Sequence, residues 1–455
     1  MTIKALKKYL TDKYGHLKKT ACIYKFRKCK ISIDASYIAY QYWFPMQNRV
    51  IDQLRSISED VDVDTIVQLW LQNIWNLISK FLRYGITPVI VFDGEPPAEK
   101  SAVIAERREK KDIAKTNLER FKAEIKGMDK FSQNTYLTKM KALYKDCGFL
   151  NQDHFALLKT FFNGLGLPVL QAKNEAEELC AALCRDGYVS AVYCEDVDSL
   201  AHLAPCWIYE KNEKKEYVEE RREYVESFNF MIMDEILNSI NMTKETFVDF
   251  CIMCGCDYNT NIKGIGPDKS YKALLKAKSI DALPSNYDVK ILNHIRCREL
   301  FSCKKSSDIC TNKINWDNPT ELSVDKNCIN TYSNSYLSGC KKEDLIHELD
   351  FIYAAFPDEI IKLDYSQFII SPEVLTRSEL GNVTGINLDN IKLDLSNIDF
   401  SKLTLGDGNP NTNTSASTNN NINTNNNTNI NNNINTNNNY INLDLSQIDF
   451  SKIKF

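Results

Sequence analysis

The chain reads as an α/β protein with a central parallel sheet flanked by helices. Two observations carry this. Strand-like apolar runs alternate with amphipathic helical patterns between residues 27 and 194, the βαβα rhythm of such a sheet. Residues 86–92 (Ile-Thr-Pro-Val-Ile-Val-Phe) are almost continuously apolar and β-branched, as a strand covered on both faces must be.

The elements follow in order. Residues 27–33 end in a strand that delivers Asp34. Residues 64–83 place Ile66, Leu69, Trp70, Ile74, Leu77, Ile78 and Phe81 at helical spacing, and Gly85 closes that helix. The strand 86–92 ends at Asp93, and in open parallel sheets ligands bind at the carboxyl ends of strands. Residues 98–145 are helical in pattern but weakly amphipathic. Residues 153–163 predict a helix and 167–170 a short strand. Asn174 opens a helix to about Cys184, and 188–194 predicts a strand running into Glu195-Asp196-Val197-Asp198.

Composition sets the outer bounds. The 455 residues are 43% hydrophobic and 25% charged, ordinary for a soluble globular protein. No apolar run approaches a membrane span, and the N-terminus lacks the apolar core of a secretory signal. The 15 cysteines then read as reduced thiols inside a cell. Cys251, Cys254 and Cys256 fall in an apolar helical run, Phe247–Cys256, and read as small core hydrophobes. His294, Cys297, Cys303 and Cys310 are looser, and without paired C-x₂-C units zinc is not expected. Net charge is −4, yet residues 100–145 carry thirteen Lys/Arg against six Asp/Glu. That excess suits either a phosphate backbone or a solvated helix face.

Five acidic motifs punctuate the first 257 residues: Asp34, Asp93, Glu175 with Glu177, Asp196 with Asp198, and Asp257. Carboxylates are rarely buried without a partner, and seven at such positions call for a hard multiply charged cation such as Mg²⁺. Each also has a plainer reading. Asp196 and Asp198, two apart at a strand end, would share one face, but single strand-end aspartates are often turn residues. Asn174 and Glu177 fit a capping box, which does not prevent the glutamates from facing a metal site. After Asp257-Tyr258, residues 261–270 (Asn-Ile-Lys-Gly-Ile-Gly-Pro-Asp-Lys-Ser) place Gly264 and Gly266 where positive φ is permitted and Pro267 at a helix start. Helix, glycine hairpin, helix makes a phosphate seat, to which Lys263, Lys269 and Lys272 add charge.

In this order the motifs resemble the flap endonuclease and excision-repair superfamily of structure-specific 5′ nucleases. The stretches are Met1-Thr-Ile-Lys-Ala-Leu, Ile33-Asp34-Ala35-Ser36 with Tyr40, Val91 to Pro97, Lys100-Ser101, Arg107-Arg108, Glu175-Ala176-Glu177, Glu195 to Asp198, Gly255 to Tyr258 and Gly264 to Pro267. The match covers roughly residues 1–285 and is closest to flap endonucleases. It implies a PIN-like fold with a helical arch and a helix–two-turn–helix element at about 245–276. The seven carboxylates would hold two Mg²⁺ ions, with Mn²⁺ able to substitute. Lys100 and Arg107 would act on the scissile phosphate. Tyr40 would stack on the nucleotide at the cleavage site, and Arg108 would contact DNA. Lys263, Gly264, Gly266, Lys269 and Lys272 would grip the duplex backbone, with K⁺ at the hairpin.

The implied organisation is a nuclease region at 1–97, the arch at 98–150, a second nuclease region at 151–285, an unassigned part at 286–370 and a tail at 371–455. Within the tail, residues 409–440 contain 18 Asn among 32 positions and are expected to be disordered. LDLSNIDFSKL (393–403) and LDLSQIDFSKI (443–453) flank that tract, and a weaker copy, LDYSQF, starts at Leu363. The repeats are either duplicated tail or a linear motif shown twice to a replication-factor partner, with a gain in avidity. Two departures stand out: Thr2 where the family has glycine, and no sliding-clamp motif in the tail. The expected activity is cleavage of DNA 5′ flaps, by a monomer, in the nucleus or at a cytoplasmic replication site. The alternatives are a duplex 5′→3′ exonuclease, a bubble or junction cutter, a non-catalytic DNA-binding relative, and an RNA-directed exonuclease.

Overall fold

The computed structural model describes residues 3, 5–126, 135–312 and 365. The chain divides into a first unit, Met1–Ile369, and a second, Ile370–Phe455. The expectations for Thr2, the Asn-rich tract and the repeats at 393–403 and 443–453 lie outside the described residues, as does most of the unassigned part.

Among the described residues seven strands form one sheet in the order β1-β7-β6-β5-β2-β3-β4. They are β1 (Lys19–Cys22), β2 (Lys30–Asp34), β3 (Thr87–Phe92), β4 (Val169–Gln171), β5 (Ala191–Tyr193), β6 (Cys206–Val218) and β7 (Glu223–Ile232). From β4 to β6 neighbours run parallel, while β7 is antiparallel to both β6 and β1. The sheet is therefore mixed, not wholly parallel. The reason is local: only residues 219–222 separate β6 from β7, and so short a link can join only antiparallel strands.

The helices are α1 (Leu6–Lys13), α2 (Ala35–Gln53), α3 (Val63–Arg83), α4 (Ser101–Ile125), α5 (Leu137–Cys147), α6 (Gln152–Gly164), α7 (Ala176–Arg185), α8 (Asp198–Ala201), α9 (Met233–Ile240), α10 (Lys244–Cys254), α11 (Pro267–Ala277), α12 (His294–Leu300) and α13 (Ser306–Ile309). The apolar stripe of α3 meets the sheet as its spacing foretold. The Asp62 carboxylate caps it by accepting the Thr65 N–H at 3.0 Å, and Gly85 follows at φ 69°. Every residue of β3 is buried.

Three buried clusters cover the sheet. One joins α2, α3 and α6 to β2, β3 and β7 around Trp43, Trp70, Phe81, Phe162 and Phe230. Another joins α1, α9, α10, α11 and α12 around Trp207, Phe247 and Phe250, and holds Cys251 and Cys254 as core residues. The third packs α7 on β3, β4 and β5 through Val89, Val91, Leu170, Leu179 and Val192. Asp249, itself buried, receives the Arg298 guanidinium on both oxygens at 2.6 and 2.7 Å, tying α12 to α10. The basic segment forms α4 and α5, which pack on each other through Leu118, Phe121, Ile125, Met140 and Tyr144 and on the end of α2 through Ile51 and Leu54. Among the described residues no helix is long and apolar enough to cross a membrane.

Phe81 sits at the centre of the first cluster, fully buried, its ring 5.7 Å from both Tyr193 and Phe228. Phe81→Ala should therefore cost about 3–5 kcal/mol, read as a lower midpoint of urea unfolding. An unchanged midpoint would refute this account of the core.

Candidate active site

Among the four adjacent parallel strands β5-β2-β3-β4, β2 ends on Asp34 and β3 runs directly into Asp93, while Glu175 and Asp196 lie a few residues beyond the ends of β4 and β5. Asp34 is the last residue of β2 and the N-cap of α2, its Oδ1 accepting the Tyr37 N–H at 3.0 Å. Asp93 follows β3. Its Oδ2 accepts the Ser36 hydroxyl, and its Oδ1 accepts the Ala176 N–H at 2.8 Å. Asp93 thus caps α7 from another strand. The capping box expected from Asn174 does not form: Glu175 is the N-cap residue and makes no side-chain cap, while the Asn174 amide reaches Glu178. Glu175 and Glu177 are thereby left to face the site.

Gly94 brings the two strand ends together. Its N–H donates to Asn174 O at 2.5 Å, and a Cβ there would stand 2.3 Å from the Ala172 carbonyl oxygen. Glycine is required at this close backbone approach. Asp196 and Asp198 are not on a strand, because β5 stops at Tyr193. They form a turn in which Asp196 Oδ1 accepts the Asp198 N–H at 3.1 Å, and Asp198 starts α8. Asp198 Oδ1 accepts the Ile3 N–H at 2.9 Å, which anchors the N-terminal segment.

Asp34, Asp93, Glu175, Glu177 and Asp196 line one cavity of about 650 Å³, together with Lys100, Arg107 and Tyr40. Asp257 joins them through its cations: Lys100 Nζ lies 2.6 Å from Glu175 Oε1 and 3.8 Å from Asp257 Oδ2, and Arg107 Nη2 lies 3.2 Å from the same Asp257 oxygen. Sequence reading gave no role to several neighbours that the fold brings in. The Tyr258 hydroxyl donates to Glu175 Oε2 at 2.6 Å, the Gln171 amide donates to Asp93 O, and Lys159 lines the cavity while holding Gln171 at 2.8 Å. Only Tyr258, beside Asp257, carried any sequence signal.

The expected DNA contacts divide. Arg108 is rotated to another face of α4, beside Ala105 and Asp112, and does not line the cavity. One residue of helix turns the side chain by about 100°, which separates it from Arg107. Lys263, Lys269 and Lys272 are exposed on the loop and α11, outside the cavity lining. Lys269 Nζ donates to Gly264 O at 2.9 Å. Gly264 has φ 79°, as the hairpin reading requires, but Gly266 is extended at φ −110°. Pro267 does open α11.

Crowding sets the electrostatics. Burial, then the Asp93 charge, push the Asp34 carboxyl up to about 8. Burial, then Asp34, Asp93, Glu175 and Asp196, raise Glu177 well above its ordinary value. Burial raises Asp196, and burial with the neighbouring Asp196 charge raises Asp198 strongly. Burial alone would lower the Lys100 ammonium, but Glu175, Glu177 and Asp257 reverse the sign, so it stays protonated. Among the described residues no three acids close into a ready-made metal-binding group. Their oxygens are instead held apart by Lys100, Ser36 and backbone N–H groups, as mutual repulsion demands. The donors are nevertheless all hard oxygens with excess negative charge, which fits a hard divalent cation.

The sign of the pH effect follows. Asp34 titrates near 3.8 when unfolded and about 8 when folded, so the folded state holds the extra proton between these values. In EDTA, stability should fall as pH rises through that window. Mg²⁺ should raise the melting temperature at pH 8 and do little at pH 5. A Mg²⁺ shift of equal size at both pH values would contradict the crowding.

Comparison with known proteins places the chain by its sequence. The family model described as the XPG N-terminal domain matches residues 1–114, and the XPG I-region matches residues 166–257. Flap endonuclease 1-2 of Paramecium tetraurelia is 32% identical over 283 residues, 62% of this chain and 67% of the relative. Flap endonuclease 1 of Aedes aegypti is 31% identical over 327 residues, 70% and 80% of the two chains. Among solved structures, flap endonuclease-1 from Methanococcus jannaschii has a TM-score of 0.47 at 20% identity, covering 75% of this chain and 97% of the other. The catalytic core of Rad2 in complex with DNA substrate gives 0.47 at 16%, covering 75% and 98%. Identity of this order across two thirds or more of the curated relatives shows that this chain belongs to the flap endonuclease family of XPG-type nucleases.

Proposed function

We propose that this chain is a metal-dependent, structure-specific nuclease that cuts DNA 5′ flaps in replication and repair. The carrying observation is the cavity in which five carboxylates, the three cations Lys100, Arg107 and Lys159, and the exposed ring of Tyr40 face the same space. Nucleases of this family are metal-dependent. The reading assigns two Mg²⁺ ions to the seven carboxylates. Bound there, Mg²⁺ supplies Lewis acidity toward the phosphoryl oxygens.

The chain's own groups do the rest. Lys100 and Arg107 balance charge that grows on the scissile phosphate during in-line attack. Tyr258 and Lys100 hold Glu175 in place from either side. Tyr40 offers its ring to the nucleotide beside the cut. Helices α4 and α5 serve as the arch around the 5′ strand, and the loop between α10 and α11 grips the duplex. Such contacts address the backbone, so selection is by shape and not by sequence. The products carry 5′-phosphate and 3′-hydroxyl ends. The compartment on this reading is the nucleus or a cytoplasmic replication site, and the tail repeats serve a replication partner.

The hairpin reading includes K⁺, and one atom supports it. Asn261 Nδ2 donates to Cys254 O and to Ile265 O, both at 3.1 Å, which aims Oδ1 elsewhere. That oxygen is buried and, among the described residues, has no hydrogen-bond partner. Buried acceptors are costly to leave unmet, and a monovalent cation seated in the loop would meet this one.

Cleavage of a labelled 5′ flap with Mg²⁺ and its loss in EDTA test the activity, and nicked duplex and four-way junction substrates rank its preference. Asp196→Ala should abolish cutting, by at least about a hundredfold, while retaining flap binding. Turnover near wild type in that variant would remove Asp196 from the metal site. Asn261→Ala should weaken flap binding and flatten its dependence on K⁺ concentration. An unaltered K⁺ response would take Asn261 out of the cation site.

A further inference from the structure

A second cavity, of about 700 Å³, adjoins the first, and Tyr40 and Arg107 line both. Beyond Tyr40 its wall continues along α2 to Phe44 and crosses to Lys110, Lys111 and Ile113 on α4. The Tyr40 and Phe44 rings lie on successive turns of α2, their centroids 5.9 Å apart and their planes within 20°. Each residue is 46% exposed, although Trp43 between them in sequence is fully buried. Phe155 packs edge-on against Tyr40 at 6.0 Å and steadies it. Two exposed parallel rings in a groove rimmed by cations need an explanation that packing does not supply.

We propose that Phe44 extends Tyr40 into a two-ring platform on which the second unpaired nucleobase of the 5′ strand stacks, outward from the cut. The inference rests on the flap-cleavage reading above. Aromatic faces interleaved with Lys and Arg are the general solution for holding single-stranded nucleic acid. The spacing says how the base sits. A base between the rings would need a gap of roughly 7 Å, two contacts of about 3.5 Å each. The rings are closer than that, so bases lie across their exposed faces. Phe44 stands one helical turn, roughly 6 Å along the axis, farther than Tyr40 from Asp34 at the start of α2. The platform therefore leads away from the carboxylates.

Charge is placed to match. Lys110 and Lys111 face the platform from α4 and can meet the phosphates that flank a stacked base. The Lys110–Glu106 pair is solvent-exposed and exchanges readily for a phosphate. Every base has a π face, so the platform demands a base without choosing which one.

The test compares wild type, Phe44→Leu and Phe44→Trp in the full chain, under single-turnover conditions with sub-saturating enzyme. One substrate is a 5′ flap with all bases, and the other is abasic at the second unpaired nucleotide. Wild type should cut the abasic flap at least about fivefold more slowly. Phe44→Leu keeps apolar bulk without a ring, and should show that loss on the complete flap and no further loss on the abasic one. Phe44→Trp should restore the difference. Equal losses on both substrates, or loss on neither, would overturn the platform while leaving flap cleavage intact. A wild-type protein that cuts no flap overturns both readings. Phe44 is half-exposed, and unchanged melting of each variant verifies that its fold is intact.

Discussion

The Lys100 ammonium, 2.6 Å from Glu175 and 3.8 Å from Asp257, is the contact around which the site is organised. Glu175 comes from the start of α7, after the last parallel strand. Asp257 follows α10, between Cys256 and Tyr258, which belong to the cluster around Phe247 and Phe250. One cation therefore ties the sheet edge to the helical hairpin. Without positive charge, acids drawn together at low dielectric would separate or take up protons. Lys100, Arg107 and a set of N–H donors keep the cluster assembled in a form whose remaining negative charge suits a divalent metal.

Structure and chemistry share bonds here. Asp93 accepts the first N–H of α7, and Asp198 accepts the Ile3 N–H. Removing either carboxylate would strip a proposed metal donor and also uncap a helix or release the N-terminal segment. Asp196 is the cleaner probe, because its oxygen serves only its own turn in the contacts described. Gly94 belongs to the same economy: its lack of a side chain lets the Asp93 and Glu175 strand ends touch backbone to backbone.

Tyr40 and Arg107 connect the acidic cavity to the basic groove between α2 and α4. On the proposed reading, chemistry and strand binding meet at these two side chains. In the proposed mechanism the duties separate: carboxylates for metal, cations for phosphate, ring faces for unpaired bases. None of these groups reads base identity, which accords with selection by DNA shape.

The sequence by itself carried no sign of the long helix α2, but it determined the strands that lead to Asp34 and Asp93, the helices α3, α6 and α7, the glycine turn at Gly264 and the helix start at Pro267. These are local signals, since periodicity, turn chemistry and proline geometry act within a few residues. Tertiary structure decided the rest. The β6–β7 hairpin turned a parallel sheet into a mixed one. Asp93 capped α7 in place of Asn174, and Arg108 was rotated away from Arg107. Lys159 and Phe44 gained meaning from the cavity walls that distant segments build around them, and Asn261 from the way its loop folds back on Cys254 and Ile265. A side chain's hydrogen-bond partner, its burial and the charges around it depend on contacts made across the fold, and no short window of sequence contains them.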